Sequence, residues 1–254
     1  MSRAFTLPPG ETFSLIRHNP MQLISNMPRA SGDSWVAYVD LLGVAEKTRV
    51  QGLGGVIPIY EAIVTRIDSL FQNNSKPRYM WFSDTFLFYT PPNSNLSFNS
   101  IDWVKNLLDY VIQRGICPFR GAVAYGEFWA DEDNRIWAGR AFLEAHQYAE
   151  AQDWIGFVLA PSALRQICTR PNREGILRQH YRKVKVPLKS KCSGSQTDMT
   201  DELYAFRFGS FGNMGQENCL TNLQSMQEQA KQAGSDPSVL SKYDRTIRFL
   251  RENQ

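Results

Sequence analysis

Metal-binding cysteine pairs, membrane-length apolar runs and a strong net charge are all missing from this sequence. Its four cysteines (Cys117, Cys168, Cys192, Cys219) are scattered with no C-x-x-C pair, and it has only three histidines. A structural zinc site and a disulfide framework are therefore not expected, and the usage fits a reducing compartment. No Ser-His or Cys-His constellation stands out for nucleophilic catalysis. No stretch approaches the roughly 18 consecutive apolar residues of a membrane span. The first thirty residues carry prolines and polar side chains where a signal peptide needs an apolar centre. The expectation is a soluble cytoplasmic protein without a membrane partner. A net charge of +3 argues against a dedicated nucleic-acid scaffold and leaves an anionic small substrate open.

What is present is ample core material, 43% apolar and 12% aromatic residues in 254, enough for one large domain or two small ones. Residues 1–33, with Pro8, Pro9, Pro20 and Pro28, read as an irregular arm. A strand is predicted over Ser34–Leu42, then a polar loop at Glu46–Arg49 and an amphipathic helix over Pro58–Phe71. A hairpin follows, with strands near Arg78–Phe82 and Thr85–Tyr89. A helix capped by Ser100 runs to about Arg114 and buries Trp103, Leu107, Leu108 and Val111. Phe119–Glu127 reads as one strand and Phe128–Ala130 as the start of another, with an acidic turn at Asp131–Asn134. Gly139 opens a helix to about Ala151, Gly156–Ala160 is a short strand, and Ser162 caps a short helix. Val184–Leu188 and Leu203–Phe208 are expected to pair late in the chain. Residues 215–233 read as helix, and Asp236-Pro237 starts a last one.

Two of these stretches carry chemistry. Tyr38-Val39-Asp40-Leu41-Leu42-Gly43 and Phe82-Ser83-Asp84-Thr85 each place one carboxylate in an apolar, β-favouring run. A buried strand holds an aspartate only when something offsets the charge. Two such aspartates, one at a strand end and one at a hairpin tip, suit divalent cations whose remaining ligands are phosphate oxygens and water. The plainer alternative makes Asp40 a helix N-cap and Asp84 an Asx-turn residue.

The element order β-α-β-β-α-β is that of the ferredoxin-like sandwich, an α+β fold shared by many functions. Within it, the two aspartate motifs, Arg120-Gly121-Ala122-Val123-Ala124-Tyr125-Gly126-Glu127 and the helix led by Gly139 resemble a class III nucleotidyl cyclase domain. The Ser-Asp-Thr hairpin resembles that of the bacterial Pycsar antiphage cyclases, which make cyclic UMP or cyclic CMP. The resemblance covers about residues 34–210, with 1–33 as an N-terminal arm and 211–254 as a C-terminal helical extension; the core carries extra C-terminal strands and helices.

The resemblance implies two Mn²⁺ or Mg²⁺ ions per site, held by Asp40, Asp84 and the backbone carbonyl of Leu41. It implies that backbone amides from Leu42, Gly43, Val44 and Ala45 cradle the β- and γ-phosphates. Lys189 falls near the family's phosphate-contacting lysine, or else is a solvated loop charge. It further implies a homodimer with composite sites, a nucleoside triphosphate substrate, and no nucleic-acid partner. Four family positions are replaced. The base-reading lysine is Met80, and the base-reading aspartate is Ile136, or Arg135 if the gap shifts. The transition-state asparagine and arginine are Leu143 and Gln147. Arg140 or His146 is the candidate to supply the missing charge, and Arg120 is equally suited to a salt bridge. With Met80 and Ile136 unable to pair with a purine edge, the implied substrate is a pyrimidine triphosphate, UTP ahead of CTP. The aromatics Tyr38, Trp81, Phe86 and Phe88 read as core, one of them at most lining a pocket. Set against this reading are a purine cyclase, a palm-like nucleotidyltransferase, and a catalytically inactive RRM-like RNA-binding domain; the last leaves both aspartates unexplained.

Overall fold

The computed structural model of the protein describes residues 32–70, 78–91, 98–171, 173–189, 201–209 and 215–253. The predicted arm at 1–33 lies outside them except for Gly32 and Asp33, which begin the first strand. The described elements are β1 (Gly32–Leu41), α1 (Val44–Gln51), α2 (Leu53–Leu70), β2 (Arg78–Phe82), β3 (Thr85–Tyr89), α3 (Phe98–Gln113), β4 (Phe119–Asp131), β5 (Ile136–Ala138), α4 (Arg140–Ala151), β6 (Gly156–Leu159), α5 (Pro161–Cys168), α6 (Arg173–His180), β7 (Tyr181–Lys185), β8 (Glu202–Phe206), α7 (Gly215–Gln232) and α8 (Pro237–Glu252).

Among the described residues eight strands form one sheet, seven of them in the order β2-β3-β1-β4-β6-β8-β7, with β5 paired to β4 off that path. The first four strands, read as β4-β1-β3-β2, pair antiparallel and form the ferredoxin-like core. β1 lies in its middle, and from Ser34 to Leu41 every residue is buried. A strand covered on both faces reads as a continuous apolar run rather than an alternating one, which is why Trp35-Val36-Ala37-Tyr38-Val39 lacks polar residues. One face of the core takes α2: Tyr60 packs 4.5 Å from Trp81, which stacks on Phe86 at 5.3 Å. The other face takes α4: Tyr38 meets His146 at 5.0 Å and Phe142 at 6.4 Å between ring centroids.

Several expected boundaries move, each for a local reason. Glu46–Arg49 is not a loop but the body of α1, where Glu46 and Arg49 pair one turn apart and Thr48 Oγ donates to the Val44 carbonyl at 2.8 Å. Gly43 makes that start possible with a left-handed backbone (φ 79°) that links strand to helix. β4 continues unbroken from Phe119 to Asp131. The helix expected to be capped by Ser100 begins two residues earlier, at Phe98. Ser162 caps nothing: α5 starts at Pro161, and Ser162 Oγ accepts instead from the Tyr125 amide at 2.9 Å, tying the helix to β4. α6 carries a short polar pattern that gave no helical signal. The late hairpin is real but shifted toward the N-terminus, with Tyr181–Lys185 paired to Glu202–Phe206. The C-terminal start signal holds as read, since Asp236 accepts from the Ser238 amide at 2.8 Å. Both C-terminal helices are packed onto the core, Asn222 donating to the Gln113 carbonyl and Thr246 bonding the Ile155 backbone. No described helix is long and apolar enough to cross a membrane.

Candidate active site

Asp40 is the last polar residue of β1, directly opposite Thr85 on β3 and Arg120 on β4. Asp84 sits in the two-residue turn between β2 and β3. Such a turn needs a positive φ, which Ser83 supplies (φ 54°). The turn is fastened to β1 because the Leu41 amide donates to the Asp84 carbonyl at 2.8 Å. Sheet pairing thus brings the two aspartates, 44 positions apart in the chain, to one corner of the core, at the start of α1.

The Asp40 carboxylate is nearly buried and is not alone. Arg120 reaches it with Nε at 2.9 Å and Nη2 at 2.8 Å, both on Oδ2, and the two side chains are only 12% and 11% exposed. The same guanidinium contacts Glu150 at the end of α4, Nη2 to Oε1 at 2.5 Å and Nη1 to the backbone carbonyl at 3.2 Å. Lys189 extends the chain of charges, its Nζ lying 3.7 Å from Glu150 Oε2 and its amide donating to the Ala151 carbonyl at 2.8 Å. Burial pushes the Asp40 carboxyl above its ordinary pKa. Arg120 opposes that, and the carboxylates of Asp84 and Glu150 add to it.

Side chains paired across neighbouring strands share a face of the sheet. The row holding Asp40 therefore runs Phe82, Thr85, Asp40, Arg120, and the next row runs Met80, Leu87, Tyr38, Ala122. Met80 and Tyr38 are thus on the aspartate face, and Tyr38 hydroxyl lies 3.3 Å from Thr85 Oγ. Trp81, Phe86 and Phe88 stack on the opposite face; Phe86 and Phe88 belong to the core, whereas Trp81, expected there too, is exposed on edge strand β2 and covered on one side by Tyr60 of α2. Of the amides expected to hold phosphate, that of Leu42 is already used, donating to the Pro118 carbonyl at 2.9 Å. The amides of Gly43, Val44 and Ala45 at the start of α1 remain as candidates, since the first turn of a helix leaves its N–H groups without intrahelical partners.

Two candidates are not brought to the aspartates of their own chain. Ile136 pairs with Asp131 at the far end of β4 from Arg120. Arg140 begins α4, about 15 Å by helical rise from Glu150, and it is exposed, with Glu127 Oε2 3.8 Å away. Leu143, too, is exposed on α4. Phe82 and Glu150 are the site residues that the sequence did not single out. Phe82 is 75% exposed beside Thr85, placed there by strand register, and Glu150 looks in sequence like one more polar residue on a helix surface, placed only by its contact with Arg120.

Hard oxygen donors suit Mg²⁺ or Mn²⁺, and the Asp40 and Asp84 carboxylates with the Leu41 carbonyl are the donors that would hold such an ion. No cluster of three or more His, Cys, Asp or Glu side chains able to hold a metal occurs among the described residues, so the pair fits an ion only with phosphate oxygens or water completing its shell.

No protein-family model and no curated protein sequence matches the chain. Solved structures do. The catalytic core of a rhodopsin-guanylyl cyclase with converted specificity, in complex with ATPalphaS, matches with a TM-score of 0.50 at 10% identity, over 70% of this chain and 96% of that one. The chain has the fold of a nucleotidyl cyclase catalytic core. Adenylate cyclases from Trypanosoma brucei in their monomeric state are also similar, at TM-score 0.49 and 10% identity, over 69% of this chain and 89% of theirs. In this cyclase fold the aspartate corner lies where β1, the β2–β3 turn and the start of α1 meet.

Proposed function

We propose that the protein is a pyrimidine nucleotide cyclase that converts UTP to 3′,5′-cyclic UMP and pyrophosphate. The observation that carries this reading is the placement of Asp40 and Asp84 at one corner of a cyclase-fold sheet, beside the start of α1. Asp40 and Asp84, with the Leu41 carbonyl, would hold two Mn²⁺ or Mg²⁺ ions. Bound there, the ions would lower the pKa of the ribose 3′-hydroxyl and neutralise charge on the departing pyrophosphate. The amides of Gly43, Val44 and Ala45 orient the β- and γ-phosphates, and Lys189 adds positive charge at the rim. The ribose 3′-oxygen bonds to the α-phosphorus as the bond to the β-phosphate breaks.

The base preference rests on Met80, an apolar side chain on the aspartate face that offers no hydrogen bond to a purine edge. A buried edge left unpaired costs about 1–3 kcal/mol per group. Self-pairing of the chain is supported by the distance of Ile136 and Arg140 from the aspartates of the same chain: a second copy, related by two-fold symmetry, would have to present them. CTP is the second reading, because uracil and cytosine differ only at N3 and C4. The resemblance of the Ser83-Asp84-Thr85 hairpin to the Pycsar cyclases extends the proposal to a second messenger of antiphage defence. The test is incubation of the pure protein with each of the four nucleoside triphosphates and Mn²⁺, products identified by mass. Linear dinucleotides, or no product from any of the four, would refute the cyclase reading.

A further inference from the structure

The guanidinium of Arg120 occupies one oxygen of the Asp40 carboxylate, a group that a cation would need. Both of its contacts to Asp40 fall on one oxygen, Oδ2, at 2.8 and 2.9 Å. A divalent ion on that oxygen would stand within about 4 Å of a fixed positive charge at a nearly buried position, where screening by water is weak. Glu150 offers the same guanidinium two other acceptors, Oε1 at 2.5 Å and the backbone carbonyl at 3.2 Å. Arg120 is thus suspended between β1 and the end of α4, with one hold that opposes a cation at Asp40 and one that does not.

We propose that Arg120 is a built-in competitor of the divalent cation at Asp40, and that Glu150 sets the strength of the competition by retaining the guanidinium when Asp40 turns to metal. Glu150 is a positioning residue in this account, acting on the cation through Arg120. Lys189, 3.7 Å from the other Glu150 oxygen, draws on the same carboxylate and so couples the rim of the site to the Asp40 pair. The proposal rests on the metal-binding reading of Asp40.

The test is titration of the nucleotide-free full chain with Mn²⁺, followed by the electron paramagnetic resonance of free Mn²⁺. Arg120→Gln is expected to bind about tenfold tighter than the wild type, the equivalent of one lost charge-assisted hydrogen bond. Arg120→Lys keeps the charge and the fold but loses the planar fork, and is expected to fall between the two. Glu150→Gln is expected to bind several-fold more weakly in the wild-type background and to have little effect in the Arg120→Gln background. A Kd in Arg120→Lys and Arg120→Gln equal to or weaker than that of the wild type would overturn the competition. Equal weakening by Glu150→Gln with and without Arg120 would overturn the role of Glu150. Either result leaves the cyclase reading standing. Mn²⁺ binding that survives Asp40→Ala, or no binding by the wild type, would overturn the competition and the metal site together.

Discussion

The Leu41 amide donates to the Asp84 carbonyl at 2.8 Å, so the backbone rather than the carboxylates fixes how the two aspartates approach. Either carboxylate can therefore be removed without detaching the turn from β1. Asp40→Ala and Asp84→Ala are both expected to abolish turnover. Their stabilities should differ. Asp40→Ala strips a buried arginine of one partner and leaves it with Glu150, a loss of about 1–3 kcal/mol. Asp84→Ala, in a partly exposed turn, should stay within about 1 kcal/mol of the wild type. Denaturant unfolding checks this, and equal stability losses would contradict it.

Asp109, on α3, gives a pH dependence that is independent of the site. Burial raises its carboxyl from 3.8 to about 6, although the Gly209 amide and Gln113 both bond it. A folded pKa above the unfolded one means stability that is fully present below about pH 4 and lost as pH rises through about 6. The Tm of the wild type relative to Asp109→Asn should therefore fall between pH 4 and pH 7 and level off above that. A constant difference across the range would contradict the raised pKa. His180 runs the other way, lowered to about 4 by burial and by Lys105, so His180→Gln should remove a loss of stability that develops as pH falls from about 6.5 toward 4.

Gly139 determines where α4 begins. Its φ is 133°, and a Cβ there would lie 2.3 Å from the Glu127 carbonyl oxygen and 2.7 Å from Phe128 Cα. Gly139→Ala must shift backbone on one side or the other, and α4 carries Glu150 and His146 to the site. A loss of about 2 kcal/mol or more is expected, about 4–8 °C in Tm, with activity falling in parallel. An unchanged Tm would show that the turn tolerates a side chain.

Self-pairing and base choice are tested by mixing and by competition. A chain carrying Asp84→Ala mixed with one carrying Arg140→Ala should regain activity that neither has alone, one intact site per heterodimer. No recovery would argue against a site shared between copies. With ATP, GTP, CTP and UTP equimolar, the product is expected to be cyclic UMP first and cyclic CMP second. Mostly cyclic AMP or cyclic GMP would sink the pyrimidine reading while sparing the cyclase one.

Local pattern carried the β-α-β-β-α-β order, because buried strands, Gly43, the Ser83-Asp84 turn and Asp236-Pro237 are all signals within a few residues. It also marked Asp40 and Asp84 as candidates, since charge in an apolar strand stands out by itself. α1 escaped because Glu46-Lys47-Thr48-Arg49 has no apolar stripe and is held by local pairs instead. Glu150 and Phe82 escaped because their place depends on which strands and helices are neighbours, a fact of register that no window of sequence contains. Arg120 was visible as a charge, yet its commitment to Asp40 across the sheet was not.

The most direct measurement is the yield of pyrophosphate and of cyclic nucleotide from UTP and Mn²⁺, taken side by side for the wild type and Asp84→Ala. One pyrophosphate per 3′,5′-cyclic UMP is expected from the wild type and neither product from the variant. Pyrophosphate without cyclic product, or an undiminished yield from Asp84→Ala, would contradict it.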